Sequence, residues 1–297
     1  MSTYVVGDIH GCYQSLIALL DHCELTLKDQ IWCVGDLINR GPDSLKVIEW
    51  AMLNEHQVKV ILGNHELHYL ACLFGAKTAS NDTLDPLLTV SEKDQRDILT
   101  WLRSRPLLHE SSIKGQHVAM VHAGVNSEWR WSEVRSRAQR AEAALRTDEG
   151  LIALAKAHPS RKRPKQKEST TDHVKEIPVE RAEWIEDLKW LTRVRAIDKN
   201  NKPIGWFKGE PSDLPETISP WYERYGEVIR RREKTDEWPD LLCYGHWAAF
   251  GIQGHQSTYG LDSGCIWGRH LSALRIEGRQ LYQVETMEMP LVPKNLR

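Results

Sequence analysis

The sequence predicts an α/β fold built around parallel strands, on three observations. Short apolar runs end in Gly7-Asp8, Gly35-Asp36 and Gly63-Asn64, so the pairs recur every 28 residues, at 7, 35 and 63. Helical apolar periodicity fills the intervals between them. The stretch from about Tyr259 to Val284 alternates like antiparallel strands about a turn at Glu277-Gly278-Arg279. Strand and helix alternating on this period are consecutive βαβ units, whose strands lie parallel.

Taken in order, Thr3-Tyr4-Val5-Val6 is β-branched and bounded by glycine, the mark of a buried strand. Leu16, Leu19, Leu20 and Cys23 recur at helical spacing and predict a helix over 13–23. Ile31 to Val34 is a second strand, and Ser44 to Asn54 a helix with Leu45, Ile48, Ala51 and Met52 on one face. Val58 to Leu62 is a third strand, followed by a helix from about Glu66 to Leu73. Residues 77–90 read as a polar loop. Ser91 caps a helix whose apolar stripe is Ile98, Trp101 and Leu102, with Asp94 three residues after the cap. Leu107 to Glu110 and His117 to Val121 flank Lys114-Gly115-Gln116 as a hairpin, and the second strand ends in His122-Ala123-Gly124.

From Trp131 to about His158 the pattern is helical, and it returns from Val179 to Arg195. Between them lies a Pro-broken basic stretch, 159–167, read as a solvated loop or a contact with a polyanion. A Pro/Gly-rich segment covers 203–220, and Leu241 to Tyr244 is a buried strand ending in Gly245-His246. The expected organisation is one domain over 1–297 with a mainly helical insertion at about 131–220.

Bulk properties narrow the class. The chain has 297 residues, 41% of them hydrophobic and 27% charged, which suits an ordinary globular enzyme. A net charge of −2 gives no global attraction to nucleic acid or to acidic membranes. The six cysteines form no C-x-x-C pair and read as reduced, mostly buried thiols. Met1-Ser2-Thr3 leads straight into the first strand with no signal-peptide pattern, and no apolar run approaches a membrane span. The expected compartment is the cytoplasm, with no membrane partner.

Ligands of parallel sheets gather beyond the carboxyl ends of the strands. Asp8, His10, Asp36, Asn64, His65, His122 and His246 all follow predicted strands. Singly, each is an ordinary turn residue; five strand ends carrying ligand-type residues together are not. The set mixes oxygen and imidazole nitrogen without thiolate, which suits Mn, Fe, Zn or Co. A catalytic ion takes three or four protein ligands, so this many donors imply two ions sharing one carboxylate. Such a pair clamps the oxygens of an in-line displacement at phosphorus.

Asp8-x-His10, Gly35-Asp36-x-x-x-Arg40-Gly41, Gly63-Asn64-His65-Glu66, His122-Ala123-Gly124 and Gly245-His246 resemble, in order, the motifs of the calcineurin-like metallophosphoesterases. The match runs from residue 7 to 246. The resemblance implies a β-sandwich of mixed sheets flanked by helices. By the family's pattern Asp8 and His10 bind one metal, Asp36 bridges, and Asn64, His122 and His246 hold the second. His65 protonates the departing oxygen, Arg40 grips the phosphoryl oxygens, and attack is by a metal-bridging hydroxide. Two divalent ions are implied, manganese or cobalt ahead of iron or zinc. Asn39 stands where the protein phosphatase branch has an Asp that orients the catalytic histidine, so another carboxylate is expected to support His65.

Leu191-Thr192-Arg193-Val194-Arg195, Gly245-His246-Trp247-Ala248 and Leu261-Asp262-Ser263-Gly264-Cys265-Ile266-Trp267-Gly268 resemble the symmetrical bis(5′-nucleosyl)-tetraphosphatase branch. This implies cleavage of diadenosine tetraphosphate at its central anhydride to two ADP. Arg193 and Arg195 are then candidates for the outer phosphates, and Trp247 or Trp221-Tyr222 for stacking on adenine. The alternatives are a protein Ser/Thr phosphatase-like activity and removal of nucleoside-tetraphosphate caps from RNA 5′ ends.

Overall fold

A computed structural model describes residues 1–158, 182–231 and 237–289. Its elements are β1 (Thr3–Val6), α1 (Tyr13–His22), β2 (Gln30–Cys33), α2 (Ser44–Leu53), β3 (Val58–Val60) and α3 (Asn64–Leu73). Then follow α4 (Asp85–Leu88), α5 (Glu92–Arg103), β4 (Leu108–Ile113), β5 (Gln116–Val121), α6 (Trp131–Leu145), α7 (Asp148–Ala157) and α8 (Glu183–Arg193). The remainder is β6 (Ala196–Asp198), β7 (Pro203–Ile204), β8 (Ile218–Pro220), α9 (Trp221–Arg231), β9 (Leu241–Tyr244), β10 (Gln253–Gly254), β11 (Thr258–Gly260), β12 (His270–Arg275) and β13 (Gln280–Glu285).

The three equally spaced runs are adjacent parallel strands. Val6 pairs with Cys33 and Cys33 with Val60, so the residues that follow leave the sheet at one level. β12 joins the other side of β1 antiparallel, completing a sheet of order β13-β12-β1-β2-β3. A second sheet, β10-β11-β9-β5-β4, pairs β5 with β9 in parallel. Met120 faces Cys243 there, and the Gly245 N–H donates to the His122 carbonyl at 2.8 Å. The carboxyl ends of β5 and β9, where His122 and His246 follow, are therefore held together.

Alternation along the strands explains the layers. Val5, Trp32 and Val34 from the first sheet and Val118, Met120, Leu241 and Cys243 from the second form one apolar cluster between the sheets. Their neighbours Tyr4, Val6, Ile31 and Cys33 face outward beneath the helices, in the larger cluster. The α/β sandwich of mixed sheets flanked by helices is present as the motifs implied.

Some local expectations need revising. The polar loop 77–90 contains α4, whose Leu87 is buried beside Leu84. The segment 131–158 is two helices, because the Thr147 side chain accepts the Gly150 N–H and starts a second one. Residues 196–220 carry a small sheet, β7-β6-β8, and the following helix α9 was not anticipated. The hairpin turn sits at Lys114-Gly115, both with positive φ (48° and 81°), the geometry of a two-residue turn. The basic stretch 159–167 and residues 179–181 of the expected second helical run lie outside the described residues.

Candidate metal centre

Five strand ends converge on one cleft of about 340 Å³. The chain reaches it through left-handed backbone: of the nine non-glycine residues with positive φ among those described, His10, Asp36, Asn39, Arg40 and His246 are here. Such φ values are costly for L-residues and persist where surrounding contacts impose them. At Asp36 the imposing group is Glu66, fully buried at the start of α3. Its carboxylate accepts the N–H groups of Asp36, Leu37 and Gly63 at 2.8 Å each, and of Ile38 at 3.3 Å. Glycines make room for the same loops. A Cβ built on Gly63 would overlap the Asp36 carboxylate, and one on Gly245 the Asp8 carboxylate.

Two donor groups share Asp36. One is His10, Asp36 and His65, the other Asp36, His122 and His246, with donor atoms in each group within 4.8 Å of one another. Asp36 Oδ2 lies 3.7 Å from His10 Nε2, 3.4 Å from His122 Nε2 and 4.0 Å from His65 Nε2. Asp8 Oδ2 is 3.9 Å from His10 Nε2, and Asn64 Oδ1 is 3.1 Å from His122 Nε2. The ring of His122 is fixed through Nδ1, 2.8 Å from the Val34 carbonyl. All six expected ligands thus lie around the Asp36 carboxylate, which belongs to both donor groups.

The electrostatics suit cations. Burial, then Asp262 and Asp36, pushes the Asp8 carboxyl well above its usual range, and burial likewise raises Asp262. Burial also works to raise Asp36, but His122 and His65 outweigh it and hold that carboxyl well below its usual range. Burial keeps the His246 imidazole well below its usual range, in the neutral form a metal ligand needs, and burial lowers His65 in the same way. Buried carboxylates crowded together with neutral imidazoles are what divalent ions neutralise, so the donor set fits the implied pair.

The other expected site residues divide. Arg40 lines the cleft, its Nη1 donating to the Asn81 carbonyl at 2.8 Å and lying 3.8 Å from Asp82. Arg195 also lines it, with Nη1 on the Gly205 carbonyl and Nη2 on the His246 carbonyl. The Arg193 side chain lines a neighbouring apolar cavity beside Leu188 and Pro203, while its carbonyl meets His246 Nε2 at 3.1 Å. Trp247 is buried, donates from its indole to the Gly209 carbonyl, and packs on Phe250 and Phe207; only an edge reaches the cleft. Trp221 and Tyr222 are buried in the core.

One expectation fails. Among the described residues no carboxylate reaches His65 Nδ1, which is buried without a hydrogen-bond partner. Asn39 is turned away, receiving the Arg40 and Thr83 N–H groups on Oδ1 and donating to Asp82. Asp82 spends its charge on His68, 2.6 Å away. Sequence reading gave no role to Glu66, Asp262 and Trp267, although they stand in the quoted motifs, and missed Lys208 and Arg269. Glu66 had a signal, since Gly63-x-x-Glu66 has capping-box spacing. Asp262 had one too, being an acid two residues past a strand end, and Trp267 stood in the same motif; Lys208 and Arg269 had none.

A two-sheet sandwich whose strand ends share one carboxylate between two ligand groups defines a phosphoesterase of the dinuclear type. The family model for calcineurin-like phosphoesterases matches residues 1–250, and the chain belongs to that family. Within it, the chain falls among the symmetrical bis(5′-nucleosyl)-tetraphosphatases. It is 36% identical to the protein of that name from Methylobacillus flagellatus over 286 residues, 96% of this chain and 95% of that protein. The Escherichia coli O139:H28 protein is 34% identical over 288 residues, 95% and 94% of the two chains. A crystal structure provisionally described as a diadenosine tetraphosphatase matches in fold with TM-score 0.57 and 22% identity, covering 96% of this chain and 93% of that one. A Saccharomyces cerevisiae protein serine/threonine phosphatase matches at TM-score 0.53 and 14% identity, over 99% and 82%.

Proposed function

We propose that the chain hydrolyses diadenosine tetraphosphate symmetrically, giving two ADP, with two divalent ions held by Asp8, His10, Asp36, Asn64, His122 and His246. The observation that carries this is the shared Asp36 at the floor of a cationic cleft walled by Arg40, Arg195, Lys208 and Arg269. Near-full-length relatives named for this reaction support the substrate. When bound, the ions supply a water acidic enough to attack phosphorus and positive charge for its oxygens. Manganese or cobalt suits the oxygen and nitrogen donors, with iron or zinc next.

The residues divide the remaining work. Arg40, aimed by Asn81 and Asp82, holds phosphoryl oxygens with its planar fork. Arg195, Lys208 and Arg269, which line the cleft, hold the outer phosphates, and Arg193, whose charge reaches Asp36, is a further candidate. His65 moves the proton at Nε2 to the departing oxygen; the incoming polyphosphate adds negative charge that favours its protonated form. Trp267, 48% exposed on the rim, is a better stacking surface for a base than Trp247. We read the protein as one domain with an insertion at about 131–220, acting in the cytoplasm. Six free cysteines fit a reducing compartment, and no described helix is long and apolar enough to cross a membrane.

The test is to incubate purified protein with manganese and, separately, diadenosine tetraphosphate, capped RNA and a phosphopeptide. ADP as sole nucleotide product of the first, abolished by chelation and restored by manganese or cobalt, is expected. AMP plus ATP, or turnover of the phosphopeptide alone, refutes the assignment; cleavage confined to capped RNA moves it to RNA ends.

A further inference from the structure

We infer that Cys12, Cys265 and Glu288 form a third metal site, structural in role and suited to a thiophilic divalent cation of the zinc type. The two Sγ atoms and a carboxylate oxygen lie within 4.8 Å of one another, on residues only 0%, 2% and 8% exposed. They come from distant parts of the chain: the residue before α1, the 3-10 turn Cys265–Trp267, and the segment after β13. A fourth oxygen stands beside them. Thr286 Oγ1 is 3.6 Å from Cys265 Sγ and 3.5 Å from Glu288 Oε2. Zn–S bonds of ~2.3 Å and Zn–O bonds of ~2.1 Å place tetrahedral donors ~3.5–3.8 Å apart, so the Thr286 edges already fit and no other edge needs to close by more than about an ångström.

The carboxylate is oriented for ligation. Glu288 Oε1 accepts the Gln14 and Ser15 N–H groups at 2.7 and 3.2 Å, and Oε2 accepts the Ser15 hydroxyl. Hydrogen bonds of this kind orient a ligating carboxylate, and lone pairs remain for a cation. On binding, both thiols release their protons, leaving two thiolates, one carboxylate and one dication with a net single negative charge. That charge sits at the N-terminus of α1, where the helix dipole favours it. Two sulfurs and two oxygens form a softer set than the oxygen and imidazole donors of the catalytic centre, so the two sites select different ions. The third ion would tie the Asp8–His10 loop, the Asp262 loop and the end of β13 together.

Cobalt distinguishes the sites, because a near-ultraviolet thiolate-to-cobalt charge-transfer band arises only where sulfur is bound. Protein made in cobalt-supplemented minimal medium should carry three equivalents and show the band. Cys12→Ser and Cys265→Ser should each lose the band and one equivalent, and His122→Ala should keep the band. The inference is overturned if wild-type protein holds two equivalents without the band, or if the band survives both cysteine substitutions. The wild-type measurement decides even if a variant does not fold, and hydrolysis of diadenosine tetraphosphate enters neither readout.

Discussion

Glu66→Gln replaces one carboxylate oxygen by an NH₂ group and should damage the site badly. Each Glu66 oxygen accepts two buried N–H groups: Asp36 and Gly63 on Oε2, Leu37 and Ile38 on Oε1. An amide keeps one accepting oxygen, and its NH₂ cannot accept. The better orientation saves the Asp36 and Gly63 bonds and leaves the Leu37 and Ile38 donors facing a donor. An unsatisfied buried donor costs ~1–3 kcal/mol, with the 3.3 Å Ile38 bond at the low end. Removing the charge returns part of this, since burial, then Asp36, pushes the Glu66 carboxyl up to about 7. A net loss of ~2–3 kcal/mol is expected, or ~4–8 °C in Tm by calorimetry of the metal-free protein. Because the same N–H groups fix the loop of the bridging Asp36, metal affinity should fall ~10–100-fold by competitive chelator titration. Glu92→Gln, on an exposed pair with Arg96, is the neutral control. If Glu66→Gln matches that control in both measurements, Glu66 does not organise the centre.

Three further outcomes follow from the same geometry. His65→Ala should keep its metals by elemental analysis yet lose ~100–10,000-fold in kcat, and unchanged turnover would remove His65 from proton transfer. Gly245→Ala forces a methyl group into the Asp8 carboxylate and against Val34; we expect ~1–3 kcal/mol of destabilisation and depleted metal, and normal metal content would contradict the close approach. Burial, then His68 and Arg193, pushes the His158 imidazole down to about 4 from 6.5. The unfolded chain then takes the proton first as pH falls, so folding stability is lost progressively from pH 6.5 towards 4. His158→Asn should flatten that slope in Tm-against-pH curves; an identical slope would place the proton elsewhere.

What the sequence disclosed of this site was what lies next to a strand. Asp8, Asp36 and Asn64 were legible because a short apolar run followed by Gly and a polar residue is a local pattern, and the parallel register carried all three to one edge. The pairing of His122 with His246 was visible only as a motif, because the β5–β9 contact spans more than a hundred residues. Side-chain direction was less accessible. Arg193 and Arg195 are two residues apart, yet one faces an apolar cavity and the other the cleft, as the chain leaves α8 for β6. Trp247 was placed at the substrate by sequence proximity to His246, but the 3-10 turn after it tucks the ring against Phe250. The missing support for His65 has the same origin: whether Asp82 turns to His65 or to His68 is settled by where the 77–84 segment packs.

The proposed ligands are divided between the sheets: Asp8, His10, Asp36 and Asn64 follow strands of one, His122 and His246 strands of the other. A chain emerging from the ribosome therefore carries the first four, and then His122, long before it can act. β5 waits for β9 as its partner, and β1 waits for β12 on its open side. Until His246 and the strands beyond it have been made and seated, the growing polypeptide has metal-binding side chains but no centre. On this reading a chain cut short before His246 would hold five of the six proposed ligands and should show no hydrolysis.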